Sequence, residues 1–128
     1  MDKQIIVTAS FFGFLAVVLG AFAAHGLKGR LSASELDVWH TAVQYQFYHV
    51  FALLFLGLYP QIKGSLIKVA YYLFTFGIIF FSGSLYLLST RELTGLTGIS
   101  FLGPITPVGG LLFIAGWLTL GIAALKNK

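Results

Sequence analysis

The sequence predicts an all-α membrane protein, a bundle of four transmembrane helices in an up-down-up-down arrangement. Of the 128 residues, 58% are hydrophobic and only 9% are charged, whereas a soluble domain carries about 25% charged residues. The mean hydropathy is +0.91. A helix needs roughly 20 apolar residues to cross a hydrocarbon core of about 30 Å. Four stretches meet this requirement, at about 5–24, 41–59, 66–88 and 108–125, and together they form a single domain over residues 1–128.

The composition restricts the chemistry open to this chain. It contains no cysteine, which excludes disulfides, thiolate metal ligands and cysteine nucleophiles. The net charge of +4 is scattered without a basic run, so no nucleic-acid partner is expected. His25, His40, Glu35 and Asp37 supply ligand types for zinc or copper, but their spacing matches no metal motif. We therefore expect no metal and no cofactor.

Lysine and arginine residues are unequally divided between the two faces of the predicted bundle. The face that holds both termini carries five of them: Lys3, Lys63, Lys68, Lys126 and Lys128. The opposite face carries three: Lys28, Arg30 and Arg91. Because cytoplasmic loops carry the positive excess, both termini are predicted to lie in the cytoplasm. The first apolar stretch is longer than the ~7–15 residues of a signal-peptide core, so we expect it to remain as the first helix.

Small residues form one stripe along the first predicted helix. They recur at spacings of three and four residues, which places them on one helical face. Their positions are Ala9, Gly13, Ala16, Gly20 and Ala24. Small side chains let a neighbouring backbone approach closely, and we expect that neighbour to be another helix of this chain. Gly26 and Gly29 are expected to end the helix.

Helix two is predicted to start outside the hydrocarbon. Ser32, with Glu35 three residues later, has the pattern of a capping box, in which the two residues satisfy each other's free backbone N–H groups. The helix should therefore begin near Ala33. It should continue as one rod to Tyr59, because Pro60 cannot extend it.

Polar residues lie well inside the apolar part of helix two. Gln46 and His49 share one seam, and His49 should lie about 12 Å below the membrane boundary at a rise of about 1.5 Å per residue. A polar side chain at that depth costs free energy unless it finds a partner. Ser82 and Ser84 of the antiparallel third helix are the candidate partners, and Ser82 should reach a similar depth, so a hydrogen bond to His49 is geometrically allowed unless the rotation of the helices prevents it. These four residues form a candidate polar centre, which is either a proton-responsive or ligand-binding site or a structural cluster.

The chain between helices three and four has unusual composition. Apart from two charged residues at its start, the linker 91–103 is uncharged and largely apolar. We expect it to lie in the membrane interface or to fold back between the helices. Thr106 and Pro107 favour an N-cap and first turn for helix four. Gly109 and Gly110 then place bare backbone in that turn.

Five ordered motifs identify the chain as similar to a known family. G-A-F-A-A-H-G-L-K occupies 20–28, W-H-T-A-V-Q-Y-Q-F-Y-H occupies 39–49 and F-S-G-S-L-Y occupies 81–86. G-P-I-T-P-V-G-G follows at 103–110, and G-W at 116–117. Over nearly its whole length the chain resembles the YwdK/YgdD family of small bacterial membrane proteins. Family members often have glycine where this chain has alanine at 23, which is still a small residue.

The resemblance implies a four-helix protein of the bacterial cytoplasmic (inner) membrane and brings no catalytic residue. It marks signature residues in addition to the polar centre of Gln46, His49, Ser82 and Ser84. These residues are Gly20, His25, Gly26, Trp39, Gly83, Tyr86, Pro107, Gly109 and Gly110. Most lie in the half of the bundle away from the termini, which indicates one site or one packing centre there.

Three hypotheses for function remain open at this point. The first is a non-enzymatic membrane protein that supports the envelope or binds a partner, either a second copy of itself or another small membrane protein. It rests on the absence of any catalytic motif in the sequence. The alternative is an oligomeric transporter or channel for protons or small solutes, with a polar site at Gln46, His49 and Ser82. A third, a lipid-modifying or lipid-binding protein, rests on the apolar linker 93–103.

Overall fold

The computed structural model describes residues 1–59, 64–96, 98 and 101–126. Within these ranges, four helices are long and apolar enough to cross a membrane: α1 (Lys3–Leu27), α2 (Ala33–Leu58), α3 (Ser65–Ser89) and α5 (Leu102–Lys126). A short helix, α4 (Arg91–Thr94), lies between α3 and α5. The prediction of an all-α bundle with four spans is confirmed. The predicted stop at Pro60, and Lys63 and Lys128, lie outside the described residues.

The small-residue stripe packs α1 against α2, so its partner is a helix of the same chain. Ala9 and Ala16 are fully buried. A Cβ atom added at Gly13 would lie 3.4 Å from Val50 Cγ1 of α2. The last member of the predicted stripe, Ala24, is exposed, and its neighbour Ala23 is buried instead. The stripe ends there because a π-helical turn over Ala23–Leu27 changes the helical register.

Helix α2 is the central helix of the bundle, with α1 on one side and α3 on the other. It begins with the predicted capping box, in which Ser32 Oγ accepts the Glu35 N–H at 3.2 Å and Glu35 Oε1 accepts the Ser32 N–H at 2.8 Å. Its predicted seam is buried along its length. The members of that seam are Trp39, Ala42, Gln46, His49 and Leu53.

Helices α3 and α5 pack through aromatic rings that lie over glycines of the opposite helix. A Cβ atom at Gly77 of α3 would lie 2.5 Å from Phe113 Cδ1, and one at Gly116 of α5 would lie 2.6 Å from Phe74 Cε1. Gly109 lies directly against the Phe81 backbone, where an added Cβ would be 2.7 Å from Cα. Glycine is therefore required at all three positions for the two helices to approach this closely.

The start of the last helix was predicted wrongly. Helix α5 begins at Leu102, and Pro107 lies inside it, so Thr106 is not its N-cap. The helix can start earlier because Pro104 lies in its first turn, where a backbone N–H has no partner within the helix. Instead of capping, Thr106 Oγ1 lies 2.6 Å from Ser84 Oγ.

The linker between α3 and α5 does not fold back between the helices where it is described. Residues 91–96 are exposed, including Leu93 and Leu96. Of the two positions expected for this linker, only the one in the membrane interface remains for residues 91–96. Residues 97, 99 and 100 of the linker lie outside the described residues.

Candidate functional site

Gln46 joins three helices through its amide group. The side chain is 2% exposed. Its Nε2 donates to the Phe12 carbonyl of α1 at 2.8 Å, and its Oε1 accepts the hydroxyl of Tyr86 of α3 at 2.6 Å. Because an amide presents both a donor and an acceptor, this one side chain bonds both neighbours of α2.

Trp39 packs on Tyr86, the residue that donates to this amide. Its ring lies 4.7 Å, centroid to centroid, from the Tyr86 ring. Its indole Nε1 donates to the Leu19 carbonyl of α1 at 2.9 Å. Trp39 and Gln46 thus both donate to backbone carbonyls of α1, which fixes the position of α1 along α2.

His49 has a hydrogen-bond partner at each ring nitrogen. Nε2 lies 3.0 Å from the indole Nε1 of Trp117, and Nδ1 lies 2.7 Å from the Tyr45 carbonyl oxygen. An indole N–H only donates, so Nε2 is the acceptor and Nδ1 carries the proton that Tyr45 accepts. The imidazole also stacks on Phe113 at 3.6 Å and an interplanar angle of 7°. This arrangement holds a neutral imidazole in one tautomer.

The two serines bond other partners, so the contact with His49 that the sequence allowed is not formed. Ser82 Oγ donates to the Ala42 carbonyl of α2 at 2.7 Å. Ser84 Oγ lies 2.6 Å from Thr106 Oγ1 of α5 and 3.0 Å from the Phe81 carbonyl. Ser82 thus meets α2 at Ala42, which precedes His49 by seven residues or about two helical turns, so the two side chains do not meet at one depth. The polar centre is therefore a set of separate links between helices rather than one cluster.

The sequence interpretation missed the main partner of the histidine. Trp117 was recognised only as part of the G-W motif, and Phe113 was not singled out at all. Their spacing of four residues on α5 places them on one helical face, which was the available signal. Nothing local indicated that this face meets His49.

The remaining signature residues serve packing or lie at the periphery. Gly20 faces Val43 of α2, where an added Cβ would be 3.6 Å from Cγ1. Gly26 lies against Phe22 within the π-helical turn. His25 and Pro107 are exposed. Gly83 and Gly110 have no close neighbour that would exclude a Cβ atom.

Among the described residues, no three histidine, aspartate or glutamate side chains are grouped as metal ligands.

The fold and the polar centre together define a multi-pass helical membrane protein whose buried polar groups link its helices. Residues 19–110 match the family described as protein of unknown function DUF423, and the chain belongs to that family. It is 46% identical to the UPF0382 membrane protein SERP0230 of Staphylococcus epidermidis RP62A, over 97% of both chains. It is 44% identical to the UPF0382 membrane protein YwdK of Bacillus subtilis 168, over 97% of this chain and 98% of that relative. The resemblance stated from the motifs is thereby confirmed. No solved structure matches the chain.

Proposed function

We propose that this protein is a non-enzymatic scaffold of the bacterial cytoplasmic membrane, which supports the envelope by holding a membrane partner. The observation that carries the proposal is that every side chain of the polar centre already bonds a partner within the chain. Both hydrogen-bonding ends of Gln46 and of His49 are bonded within the chain, as is each hydroxyl of Ser82 and Ser84. Binding a substrate or passing a proton at these side chains would first require one of these internal hydrogen bonds to break, which costs free energy.

The same observation argues against the transporter hypothesis. To accept a proton at Nε2, His49 would have to give up the Trp117 N–H, because the indole offers no acceptor in exchange. Ser82 is fully buried and directed at a backbone carbonyl of α2. A pathway through these residues would require their hydrogen bonds to break in turn, inside a medium that offers no replacement partners.

The proposed orientation has both termini in the cytoplasm, and the partner is a second copy of this chain or another small membrane protein. The excess of lysine on the face that holds the termini supports the orientation. Because the chain has no cysteine, a single cysteine in Lys126→Cys can report it. We expect a membrane-impermeant maleimide to label this variant only after the cells are opened. Labelling of intact cells would show the opposite orientation, with the C-terminus outside the cytoplasm.

Flux measurements on purified protein in liposomes test the scaffold against the transporter. We expect the wild-type chain to pass no more protons, potassium or sodium than protein-free vesicles do, because the side chains of its polar centre are bonded to other side chains or to the backbone within the chain. His49→Ala and His40→Ala are measured beside it, since His40 lies on the same helix but is exposed. A wild-type flux that His49→Ala abolishes and His40→Ala retains would overturn the proposal.

A further inference from the structure

Two cavities lie one above the other between α2 and the α3–α5 pair. The upper cavity, of about 640 Å³, lies at the end of the bundle away from the chain termini and is lined by Val38 of α2 and Gly103 of α5, among others. The lower one, of about 550 Å³, is lined by Tyr45 of α2 and by Gly110 and Trp117 of α5. Lining residues seven apart on each helix occupy the same helical face. The two cavities therefore lie in line on the same side of the bundle, and we refer to them together as the cleft, with an upper and a lower part.

The residues of α3 that line the cleft also lie on one helical face. On α3, Leu85 and Leu88 line the upper part and Phe81 lines the lower part, at spacings of four and three residues. The lower part ends beside His49 and Trp117, whose hydrogen bond connects α2 to α5 at that depth. The upper part of the cleft thus lies at the end of the bundle, and the lower part ends at aromatic rings near the middle of the spans.

Polarity changes along the cleft in the way an amphipathic ligand requires. The mouth carries the carboxylates of Glu35 and Glu92 and the guanidinium of Arg91, together with the hydroxyl of Ser34. The capping bond from the Ser32 N–H holds Glu35 Oε1 at this position. Below the mouth, the lining consists of aliphatic side chains and then aromatic rings.

The depth of the cleft matches one leaflet of a bilayer. From Val38 to Tyr48 the chain rises ten residues along α2, or about 15 Å at a rise of about 1.5 Å per residue. A hydrocarbon core is about 30 Å thick, so one leaflet contributes about 15 Å. An acyl chain that starts at the mouth therefore ends beside the aromatic rings.

We propose that this cleft binds one phospholipid with an ammonium-bearing headgroup, of the phosphatidylethanolamine class, from the leaflet opposite the chain termini. Arg91 and the Ser34 hydroxyl suit the phosphate, and the carboxylates of Glu35 and Glu92 suit the ammonium, which donates hydrogen bonds. A transmembrane helix in the same place would need charged side chains of both signs at its end to match this mouth, whereas the lipid headgroup carries both charges itself. The inference goes beyond the proposed function and does not depend on it, since a scaffold and a transporter alike can hold a lipid.

Lipid competition on the wild-type chain is the first test. The protein is placed in nanodiscs with equal amounts of phosphatidylethanolamine and phosphatidylglycerol that share the same acyl chains, and the retained lipid is counted by native mass spectrometry. We expect one retained lipid per chain, with phosphatidylethanolamine preferred by about tenfold, the ratio that corresponds to about 1.4 kcal/mol. Equal retention of the two lipids, or a dimer that retains no lipid, would overturn the proposal.

Matched variants then locate the bound lipid. Gly110→Phe fills the lower cavity, and it should be accommodated because an added Cβ would be 3.9 Å from Phe81 Cδ2. We expect it to reduce lipid retention about tenfold, whereas Leu111→Phe, on the exposed face of α5, should retain the wild-type level. Glu92→Gln should reduce the headgroup preference, and the exposed Asp37→Asn should not. If Gly110→Phe is folded and retains as much lipid as Leu111→Phe, the cleft is not the binding site.

Discussion

Replacing His49 by alanine is expected to lower the free energy of unfolding by about 2–4 kcal/mol, the largest effect of any single change in the polar centre. The substitution removes the ring that stacks on Phe113 at 3.6 Å and leaves a cavity among aromatic side chains. It also leaves the Trp117 indole N–H without the acceptor that it bonds at 3.0 Å. The loss is measured by unfolding the protein from a mild detergent with increasing amounts of sodium dodecyl sulfate.

Two further substitutions separate the causes of this loss. His49→Phe keeps a ring against Phe113 but removes the acceptor of the Trp117 N–H. The free energy of unfolding should therefore fall only by the contribution of that hydrogen bond, about 1–2 kcal/mol. His40→Ala, at an exposed position on the same helix, should change the stability by less than about 0.5 kcal/mol. If His49→Ala were as stable as His40→Ala, the imidazole would not connect α2 to α5.

Replacing Gln46 by leucine is expected to destabilise the protein by about 1–3 kcal/mol, although the side chain becomes more apolar. Leucine is of similar size, so the loss comes from the polar partners that remain. The Tyr86 hydroxyl, which donates to Gln46 Oε1 at 2.6 Å, is left without an acceptor inside the bundle. The Phe12 carbonyl loses its donor at 2.8 Å, and α1 loses one of its two side-chain links to α2.

Gln44→Leu is the matched control, because Gln44 is exposed two residues away on the same helix. Removing its amide from a lipid-facing surface should leave stability unchanged or raise it. Adding Tyr86→Phe to Gln46→Leu should restore part of the lost stability, since the unpaired hydroxyl is then absent. Equal stability of Gln44→Leu and Gln46→Leu would contradict a linking role for the buried amide.

Features that depend on neighbouring residues in the chain were predictable, and features that depend on helix rotation were not. The capping box at Ser32 and Glu35 is decided within four residues, and it formed as expected. The buried seam of α2 follows from periodicity alone, so Gln46 and His49 were found. Their partners were not, because the direction of a side chain across an interface depends on how the facing helix is rotated. Ser82 illustrates this, since the sequence allowed a bond to His49 but its hydroxyl bonds the carbonyl of Ala42, seven residues earlier on α2.

The start of α5 shows a second limit of prediction from local signals. Thr106 followed by Pro107 has the composition of a helix start, yet the helix begins at Leu102. The threonine hydroxyl instead lies 2.6 Å from Ser84 Oγ on α3. A contact between two helices thus decided the role of a residue whose sequence context suggested a cap.

The rings that lie over glycines between α3 and α5 limit how the bundle can move. Phe113 lies over Gly77 and Phe74 lies over Gly116, so neither helix can slide along the other unless both rings leave their positions together. The pair therefore behaves as one rigid body. Helix α2 meets α5 through side chains such as His49 and Trp117, without a comparable approach of backbones. We therefore expect the surface between α2 and α5 to open more readily than the surface between α3 and α5, because it is held by side chains that can rotate.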